Sequence, residues 1–277
     1  MNIVNDIINA YRQNNFVTED FEYRIKSLKK ASSLDKKENG FVKIEPFGKI
    51  NFPYVELGKI KSSDLINLYE IILFAYYWSA KNKYQKVADV GSNIGLHSII
   101  LKKCGLKVVS YEPDIETSVF LKNNLNKNDI IDVDIVNKAV SGFNGTAEFI
   151  KIKDNVTGNH ILGSKEKVYG DIKKFNVEVV SLSNLCRDFD LIKLDIEGAE
   201  DQAISSLCYE DLRNTDILVE IHSFEKTKKI FQHLKDNNIE CFAQKNLWKK
   251  VKTIEEMPKN YKEGALFIST KGKMSWE

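Results

Sequence analysis

The spacing of apolar residues along the chain changes near residue 86. Beyond that point, short continuous apolar runs alternate with longer stretches in which apolar residues recur every three or four positions. Such short runs are typical of strands buried on both faces, and the longer stretches are typical of helices. The alternation predicts an α/β fold with a mostly parallel sheet. The predicted strands are 86–90, 107–112, 132–137, 190–195 and 216–221, and the predicted helices are 96–104, 114–127, 199–208 and 224–237.

The alternation is interrupted after the third parallel strand. Residues 146–152 and 175–180 are patterned as strands and flank a long polar loop, 153–174. A loop of this length inside a compact domain is usually functional. Two more strands are predicted in the tail, at 239–243 and 264–270, where they would complete the sheet.

The beginning of the chain follows a different pattern. Helical spacing predicts helices over 2–14 and 19–33, and residues 41–60 alternate apolar and polar positions as a hairpin does. We therefore expect an α/β appendage over residues 1–60.

The most hydrophobic stretch, 65–80, predicts a core helix, because it is too short to span a bilayer and contains polar residues. Ser62, Ser63 and Asp64 are the candidates for its N-cap. This helix would open the main domain, expected over 61–277.

Composition narrows the class of protein. The chain has 277 residues, of which 43% are hydrophobic and 29% charged, as in a soluble protein with a full core. Its net charge of +2 argues against a nucleic-acid-binding surface. The four cysteines lie far apart without a CxxC pair, and the first ten residues lack a signal sequence. Reduced thiols and a cytoplasmic location are therefore expected.

The turn after the first parallel strand carries Asp89, Gly91 and Gly95, with Asn93 between the glycines. This arrangement is neither GxGxxG nor a phosphate-binding loop, because the middle glycine is missing. An aspartate there would repel a pyrophosphate and favour a cationic ligand. S-adenosylmethionine, a sulfonium with an amino group and no phosphate, fits this pattern better than NAD does.

Glu112 ends the second parallel strand, and Pro113 and Asp114 follow it. A carboxylate at this position can accept hydrogen bonds from both ribose hydroxyls of a nucleoside. Asp114 is expected to cap the next helix.

A second group of acids follows the fourth parallel strand, where Asp195, Glu197 and Glu200 surround Gly198. Crowded carboxylates at a strand end indicate contact with a cation, with hydroxyls or with a transferred proton. Glu200 is expected to cap the following helix, whereas Asp195 and Glu197 are candidates for catalysis.

The fifth parallel strand ends near Glu220 and His222. Histidine is a natural general base near neutral pH, so Asp195 and His222 are the two candidates for the proton acceptor. A divalent metal held by Asp195, Glu220 and His222 is an alternative that the spacing leaves open, and no metal site is assigned.

The expected roles of the remaining polar residues depend only on their positions in the sequence. His97 begins the first helix, close to the expected cofactor, and Asn159 and His160 in the long loop are candidates for acceptor binding. His233 is expected on a helix surface.

Taken together, these segments resemble the FkbM family of S-adenosylmethionine-dependent O-methyltransferases, over roughly residues 60–270. The family implies a Rossmann-like class I methyltransferase fold, with seven strands that are parallel except for one late strand. One departure is the family's Leu-Asp, which appears here as Leu182-Ser183. The matching segments are Asp89–Ser98, Tyr111–Pro113, Asn137–Val140, Leu182–Leu185, Ile192–Glu200 and Val219–His222.

The resemblance implies roles for single positions. Asp89, Gly91, Asn93 and Gly95 would hold the amino acid end of the cofactor, Glu112 would hold the ribose, and Ala139 and Val140 would lie near adenine. Asp195 and Glu197 would face the methyl group and the acceptor. Their position in the same segments makes Ser92, His97, Pro113 and Asp195 further candidates for cofactor binding.

The function expected from these observations is transfer of a methyl group from S-adenosylmethionine to a hydroxyl, most simply that of a saccharide or glycan. Glu197 would orient the acceptor, and Asp195 or His222 would take its proton. An NAD-dependent oxidoreductase and a non-catalytic nucleoside-binding module are the two alternatives. Neither a nucleic-acid partner nor a membrane span is expected, and the oligomeric state stays open.

Overall fold

The fold is described from a computed structural model, over residues 2–36, 39–52, 61–152, 158–164 and 171–276. Every helix expected from the periodicity is present, although most are shorter than predicted. The helices are α1 (Ile3–Arg12), α2 (Thr18–Lys30), α3 (Leu68–Ser79), α4 (Leu96–Lys103), α5 (Ile115–Asn126), α6 (Leu182–Cys186), α7 (Glu200–Ile204) and α8 (Phe224–Asp236).

The strands fall into three sheets. They are β1 (Phe41–Ile44), β2 (Gly48–Asn51), β3 (Lys86–Val90), β4 (Lys107–Tyr111), β5 (Asp134–Val136), β6 (Ala139–Ser141), β7 (Gly145–Ile152), β8 (His160–Ile161), β9 (Ile172–Ser181), β10 (Leu191–Leu194), β11 (Asp216–Glu220), β12 (Glu240–Ala243), β13 (Lys249–Lys250) and β14 (Ala265–Ser269).

The main sheet has the strand order β13-β12-β14-β11-β10-β3-β4-β5. The pairs β5–β4, β4–β3, β3–β10 and β10–β11 are parallel. Strand β14 runs antiparallel to both of its neighbours, β11 and β12. The predicted α/β sheet with one reversed late strand is thereby confirmed, and the two-residue strand β13 adds an eighth strand at its edge.

The strands that interrupt the alternation do not join this sheet. Strands β7 and β9 pair with each other and, together with β6 and β8, form a separate four-stranded sheet. Sequence patterning showed that β7 and β9 exist but could not show which sheet they join. Strand β6, immediately after β5, was not predicted, and residues 153–157 and 165–170 of the predicted loop lie outside the described residues.

The predicted cap of the core helix is wrong. Ser62–Leu65 forms a 3₁₀ turn of its own, and α3 begins after Asn67, whose side chain accepts a hydrogen bond from the Glu70 amide. An asparagine side chain satisfies an amide that the first helical turn leaves unpaired. The change moves the start of α3 to Leu68 and brings Glu70 into its first turn.

The N-terminal helices share one apolar core with the main sheet. Ile7 of α1, Phe74 of α3 and Ile99 of α4 belong to the same buried cluster. The rings of Tyr11 and Trp276 stack with centroids 4.3 Å apart, which joins both ends of the chain. Strands β1 and β2 form the expected hairpin. The predicted boundary at residue 60 lies outside the described residues.

Two smaller expectations concern surface residues. His233 is half-buried rather than a plain surface residue, and its Nε2 lies 2.9 Å from the carbonyl oxygen of Leu207. Ser183, which stands where the family has aspartate, donates a hydrogen bond of 2.7 Å to Asp211.

All four cysteines are free thiols. Among the described residues, no helix is long and apolar enough to cross a membrane.

Candidate active site

The candidate site lies along the carboxyl edge of the main sheet. Strands β4, β3, β10 and β11 are neighbours in the sheet, and a candidate group lies at the end of each strand on this edge. Ligands of open α/β sheets bind at this edge, because the loops after parallel strands leave a crevice there. In sheet order the groups are Glu112, Gly91, Asp195 and Glu220.

Glu112 is 6% exposed and lies at the wall of a narrow cleft. Its two carboxylate oxygens accept hydrogen bonds of 3.0 Å from the backbone amides of Asn93 and Asp114. Burial raises the pKa of Glu112 to about 7, although these two amides act in the opposite direction. Asp114 caps α5 through the amide of Glu116, which confirms its predicted role.

The glycines of the first turn serve the protein's own backbone. A Cβ on Gly91, at φ +70°, would lie 1.7 Å from the carbonyl oxygen of Asp195. A Cβ on Gly95, at φ +91°, would lie 3.2 Å from Leu121. Gly91 therefore lets the ends of β3 and β10 approach each other, which places Asp195 beside the turn.

Asn93 occupies the centre of this turn at φ +48°. Its side-chain oxygen Oδ1 is buried and has no hydrogen-bond partner among the described residues. Ser92 precedes it and donates a hydrogen bond of 3.0 Å to the carbonyl oxygen of Tyr111. The unpaired oxygen of Asn93 is thus available to a ligand that carries hydrogen-bond donors.

Lys193 is a functional candidate that sequence reasoning missed. It is 5% exposed in the middle of β10, and its Nζ lies 3.3 Å from Asp195 Oδ2 and 3.7 Å from Asp89 Oδ1. Burial lowers the pKa of Lys193, but the two carboxylates more than offset it and leave the pKa raised. The available signal was a lone charge inside an apolar strand, because a buried lysine needs a counterion.

Asp89 lies deeper than predicted for a residue that touches the cofactor. It is fully buried in β3 and accepts a hydrogen bond of 2.5 Å from Ser98, while the cavity lining begins at the next residues, Val90 and Gly91. Its carboxylate faces Lys193 and thereby acts on the site through that side chain.

His222 is held by three carboxylates. Its Nε2 lies 3.1 Å from Asp195 and 3.6 Å from Glu200, and its Nδ1 lies 3.9 Å from Glu197. Burial lowers the pKa of His222, but the hydrogen bond to Asp195 and the other two carboxylates raise it well above the ordinary value. The pKa of Asp195 is held low, and an ionised carboxylate only accepts hydrogen bonds, so Nε2 of His222 is the donor in this contact.

The same cluster has the chemistry of a cation site. Atoms of Asp195, Glu200 and His222 lie within 4.8 Å of one another, so Glu200 stands where sequence reasoning placed Glu220. We assign no metal to this cluster. Glu200 is the first residue of α7, and its side chain accepts the amide of Gly198 at 2.9 Å, before the helix begins, so it does not cap α7 through a helix amide as expected.

His97 and Glu70 form a second buried pair. His97 Nε2 lies 2.8 Å from Glu70, and its Nδ1 lies 3.0 Å from the hydroxyl of Tyr77. Glu70 and Tyr77 come from α3, so this helix contributes to the site as well as to the core. The pairing joins residues far apart in sequence, and local patterning carried no signal for it.

Two connected cavities follow the sheet edge. The narrow cleft is lined by Glu112, Pro113, Ala139, Val140 and Asn159, among others. A larger main cavity of about 1000 Å³ is lined by Ser92, Gly95, His97, Lys193 and His222, among others. The residues that line both are Gly91, Asn93, Asp195 and Glu197. Glu197 has φ +52°, a strained conformation of the kind that clusters at functional sites.

The two loop residues predicted to bind the acceptor are placed differently. Asn159 lies in the cleft with Glu112, and its Oδ1 accepts the amide of Ile152 at 2.9 Å. His160 is 1% exposed and its Nδ1 lies 2.8 Å from the carbonyl oxygen of Gly158. The structure therefore brings Asn159 to the same cleft as Glu112 and buries His160 away from the main cavity.

Without the short edge strand β13, which runs antiparallel to β12, the main sheet has seven strands, and only β14 is reversed among them. This strand order and direction define a class I methyltransferase fold. The family model described as the methyltransferase FkbM domain matches residues 89–241, and the chain belongs to this family.

Solved structures with a similar chain path include other methyltransferases. The ribosomal protein L11 methylase of Lactobacillus delbrueckii subsp. bulgaricus is 18% identical, with a TM-score of 0.38 over 70% of this chain and 76% of that one. A putative rRNA methylase of Clostridium thermocellum is 11% identical, with a TM-score of 0.39 over 71% of this chain and 95% of that one. Such likeness is limited to the path of the chain. No curated protein sequence matches.

Proposed function

We propose that this protein transfers a methyl group from S-adenosylmethionine to a hydroxyl of an acceptor, and that the acceptor is a saccharide. The observation that carries the proposal is the continuous space along the sheet edge, from Glu112 through Gly91 and Asn93 to the acids around Asp195. Its two parts match the two ends of the cofactor.

The residues present fit S-adenosylmethionine. Glu112 would accept the ribose hydroxyls, while Ala139 and Val140 offer apolar contact to adenine. The unpaired Oδ1 of Asn93 and the carboxylate of Asp195 would receive the amino group. Acids at this edge stabilise a sulfonium and repel a pyrophosphate, which favours this cofactor over NAD.

When bound, the cofactor would supply an electrophilic methyl carbon. The acceptor oxygen would bond to this carbon, and the carbon–sulfur bond would break with its electron pair left on sulfur. The hydroxyl would lose its proton in the same transfer. The protein's contribution is to hold the reactants in line and to exclude water. Burial raises the pKa of Asp195, but Lys193 and His222 more than offset it and hold the pKa low. We assign to Asp195 the positioning of the cationic cofactor, and to Glu197 that of the acceptor.

A saccharide is favoured by the polar character of the main cavity. Carboxylates, an amide and lysines line it together, and such groups satisfy the clustered hydroxyls of a sugar through hydrogen bonds. A phenol or an alkyl alcohol would leave these groups unpaired, at a cost for each one.

Calorimetric titration and single-turnover transfer test the proposal. S-adenosylmethionine should bind and NAD should not, and label from the methyl group should appear on a glycan mixture rather than on small phenols. The matched control is the exposed variant Asp236→Asn, which should transfer label as the wild type does. Binding of NAD alone, or label on phenols only, would contradict the proposal.

The affinity for S-adenosylmethionine should fall as the pH is lowered through about 7, the raised pKa of Glu112. Below that pKa the carboxyl is protonated and one oxygen loses part of its capacity to accept ribose hydroxyls. Titrations one unit below and one unit above the pKa should differ by up to about tenfold in dissociation constant.

Glu112→Gln removes the titrating group, so it should bind more weakly and lose this pH dependence. Glu240→Gln, which alters an exposed ion pair with Lys250, is the matched control and should keep it. An unchanged pH profile in Glu112→Gln would show that another group is responsible.

A further inference from the structure

A third cavity opens on the side of the main cavity that is away from the cleft. We call it the side cavity; its volume is about 230 Å³. It shares Asn67, Glu70, Glu220 and Tyr261 with the main cavity and none of its lining residues with the cleft. The three spaces therefore follow one another along the sheet edge.

We propose that the side cavity binds the saccharide acceptor, whose reacting hydroxyl reaches the main cavity beside Glu220, and that the Glu220 carboxylate takes the hydroxyl proton. This inference rests on the proposed methyl transfer and adds the place and the orientation of the second substrate.

The order of the strands supports this direction. Glu112 follows β4, Gly91 follows β3, Asp195 follows β10 and Glu220 ends β11. These four strands are consecutive neighbours in the sheet. If the ribose lies at Glu112 and the amino group at Asn93, the next position along the edge is occupied by Asp195 and then Glu220. The acceptor then enters from the β11 side, where the side cavity lies.

The carboxylate of Glu220 differs from the neighbouring carboxylates of the site, because each of those contacts another group of the protein. Glu70 contacts His97, Asp195 contacts Lys193, and Glu200 contacts Gly198. Within the described part of the chain, the side-chain carboxylate of Glu220 has neither a hydrogen bond nor an ion pair, although the residue lines both the main cavity and the side cavity. His222 is occupied as a donor, so Glu220 replaces it as our candidate for the proton acceptor.

The charges around Glu220 fit this task once a cation is bound. Burial, Asp195 and Glu70 raise its pKa well above the ordinary value, whereas His222 and Lys193 act in the opposite direction. A sulfonium in the main cavity would lower this pKa and leave a carboxylate that is ready to accept a proton. Without the cofactor, the raised pKa favours the protonated form of Glu220.

The lining of the side cavity has the chemistry of a sugar site. Tyr69 and Tyr261 are 39% and 53% exposed, so their rings retain accessible surface for the carbon face of a pyranose. Gln244 and Lys262 supply polar groups beside them. Aromatic surface with a few placed polar groups is the usual composition of a small-molecule site.

Glu220→Gln tests the proton transfer. It should lower kcat by about 100-fold or more, as loss of a general base does, while S-adenosylmethionine binds with an affinity within about twofold of wild type. An infrared difference spectrum recorded on cofactor binding should show loss of a protonated carboxyl band in the wild type and not in Glu220→Gln. Glu210→Gln, on the surface, is the matched control. An undiminished kcat with normal cofactor binding would overturn the role of Glu220.

Tyr261→Ala tests the place of the acceptor. Saturation-transfer NMR with glucose, galactose, mannose, fucose and N-acetylglucosamine should detect binding of at least one sugar to the wild type. That binding should weaken about tenfold in Tyr261→Ala. It should stay unchanged in Tyr209→Ala, because Tyr209 is also exposed, at 40% against 53% for Tyr261, but does not line the side cavity. The affinity for S-adenosylmethionine should be the same in all three proteins.

The outcomes separate this inference from the proposed function. Sugar binding that is equal in both tyrosine variants, together with methyl transfer to a sugar, would place the acceptor elsewhere and leave the function intact. Absence of sugar binding to any of the proteins would overturn the saccharide assignment. Failure of S-adenosylmethionine to bind the wild type would overturn the proposed function itself.

Discussion

Replacing Lys193 by methionine should lower the free energy of unfolding by about 3–5 kcal/mol, the usual cost of leaving buried charges without a partner. Methionine fills a similar volume in β10, so the loss comes from the charge. Asp89 would lose the cation 3.7 Å from its carboxylate, in a position with no exposure to water. Chemical denaturation at neutral pH measures the difference.

Two further variants make this result specific. Lys102→Met alters an exposed contact with Asp132 and should change the free energy of unfolding by less than about 1 kcal/mol. Adding Asp89→Asn to Lys193→Met removes the unpaired buried carboxylate and should restore part of the stability. Such a recovery in a double-mutant cycle shows that the two residues are coupled. Equal losses from Lys102→Met and Lys193→Met would contradict the charge argument.

Gly91→Ala should have the second large effect, a destabilisation of more than about 4 kcal/mol together with loss of cofactor binding. The new Cβ would lie 1.7 Å from the carbonyl oxygen of Asp195, so the ends of β3 and β10 must separate. That separation would displace Asp195 from the main cavity. Thermal unfolding and calorimetric titration measure the two consequences.

Gly105→Ala is the matched control for Gly91→Ala. Gly105 also has a positive φ, +83°, but a Cβ there would meet nothing within 4 Å. It should cost about 1–2 kcal/mol, the strain of a left-handed alanine, and leave cofactor binding unchanged. A similar effect of both variants would show that backbone strain, rather than the contact with Asp195, makes glycine necessary at residue 91.

The sequence was sufficient to predict the main sheet, because buried strands and amphipathic helices leave a local periodicity. It also indicated which acids stand at the carboxyl edge, since Asp195 directly follows β10 and Glu112 directly follows β4. Both predictions depend only on residues close together in the chain. The family resemblance added the direction of the late strand, which local patterning does not contain.

What the sequence could not predict are the contacts made across long distances in the chain. The pairing of His97 with Glu70 depends on how α3 packs, and the placement of Asn159 in the cleft depends on the second sheet. The raised pKa of His222 depends on three carboxylates that converge only in the fold. Each is a property of side chains brought together by tertiary structure.

The reversed direction of β14 has a consequence for how such a protein can diversify. Because β14 begins at the edge where its neighbours end, the chain between β12 and β14, residues 244–264, is carried across that edge and forms one wall of the side cavity. The family model ends at residue 241, before this segment. Under the proposed assignment, residues 244–264 contribute to acceptor binding, whereas the proposed donor-binding residues lie within the range that the family model matches. Exchanging 244–264 between family members should transplant acceptor preference while the methyl donor is retained.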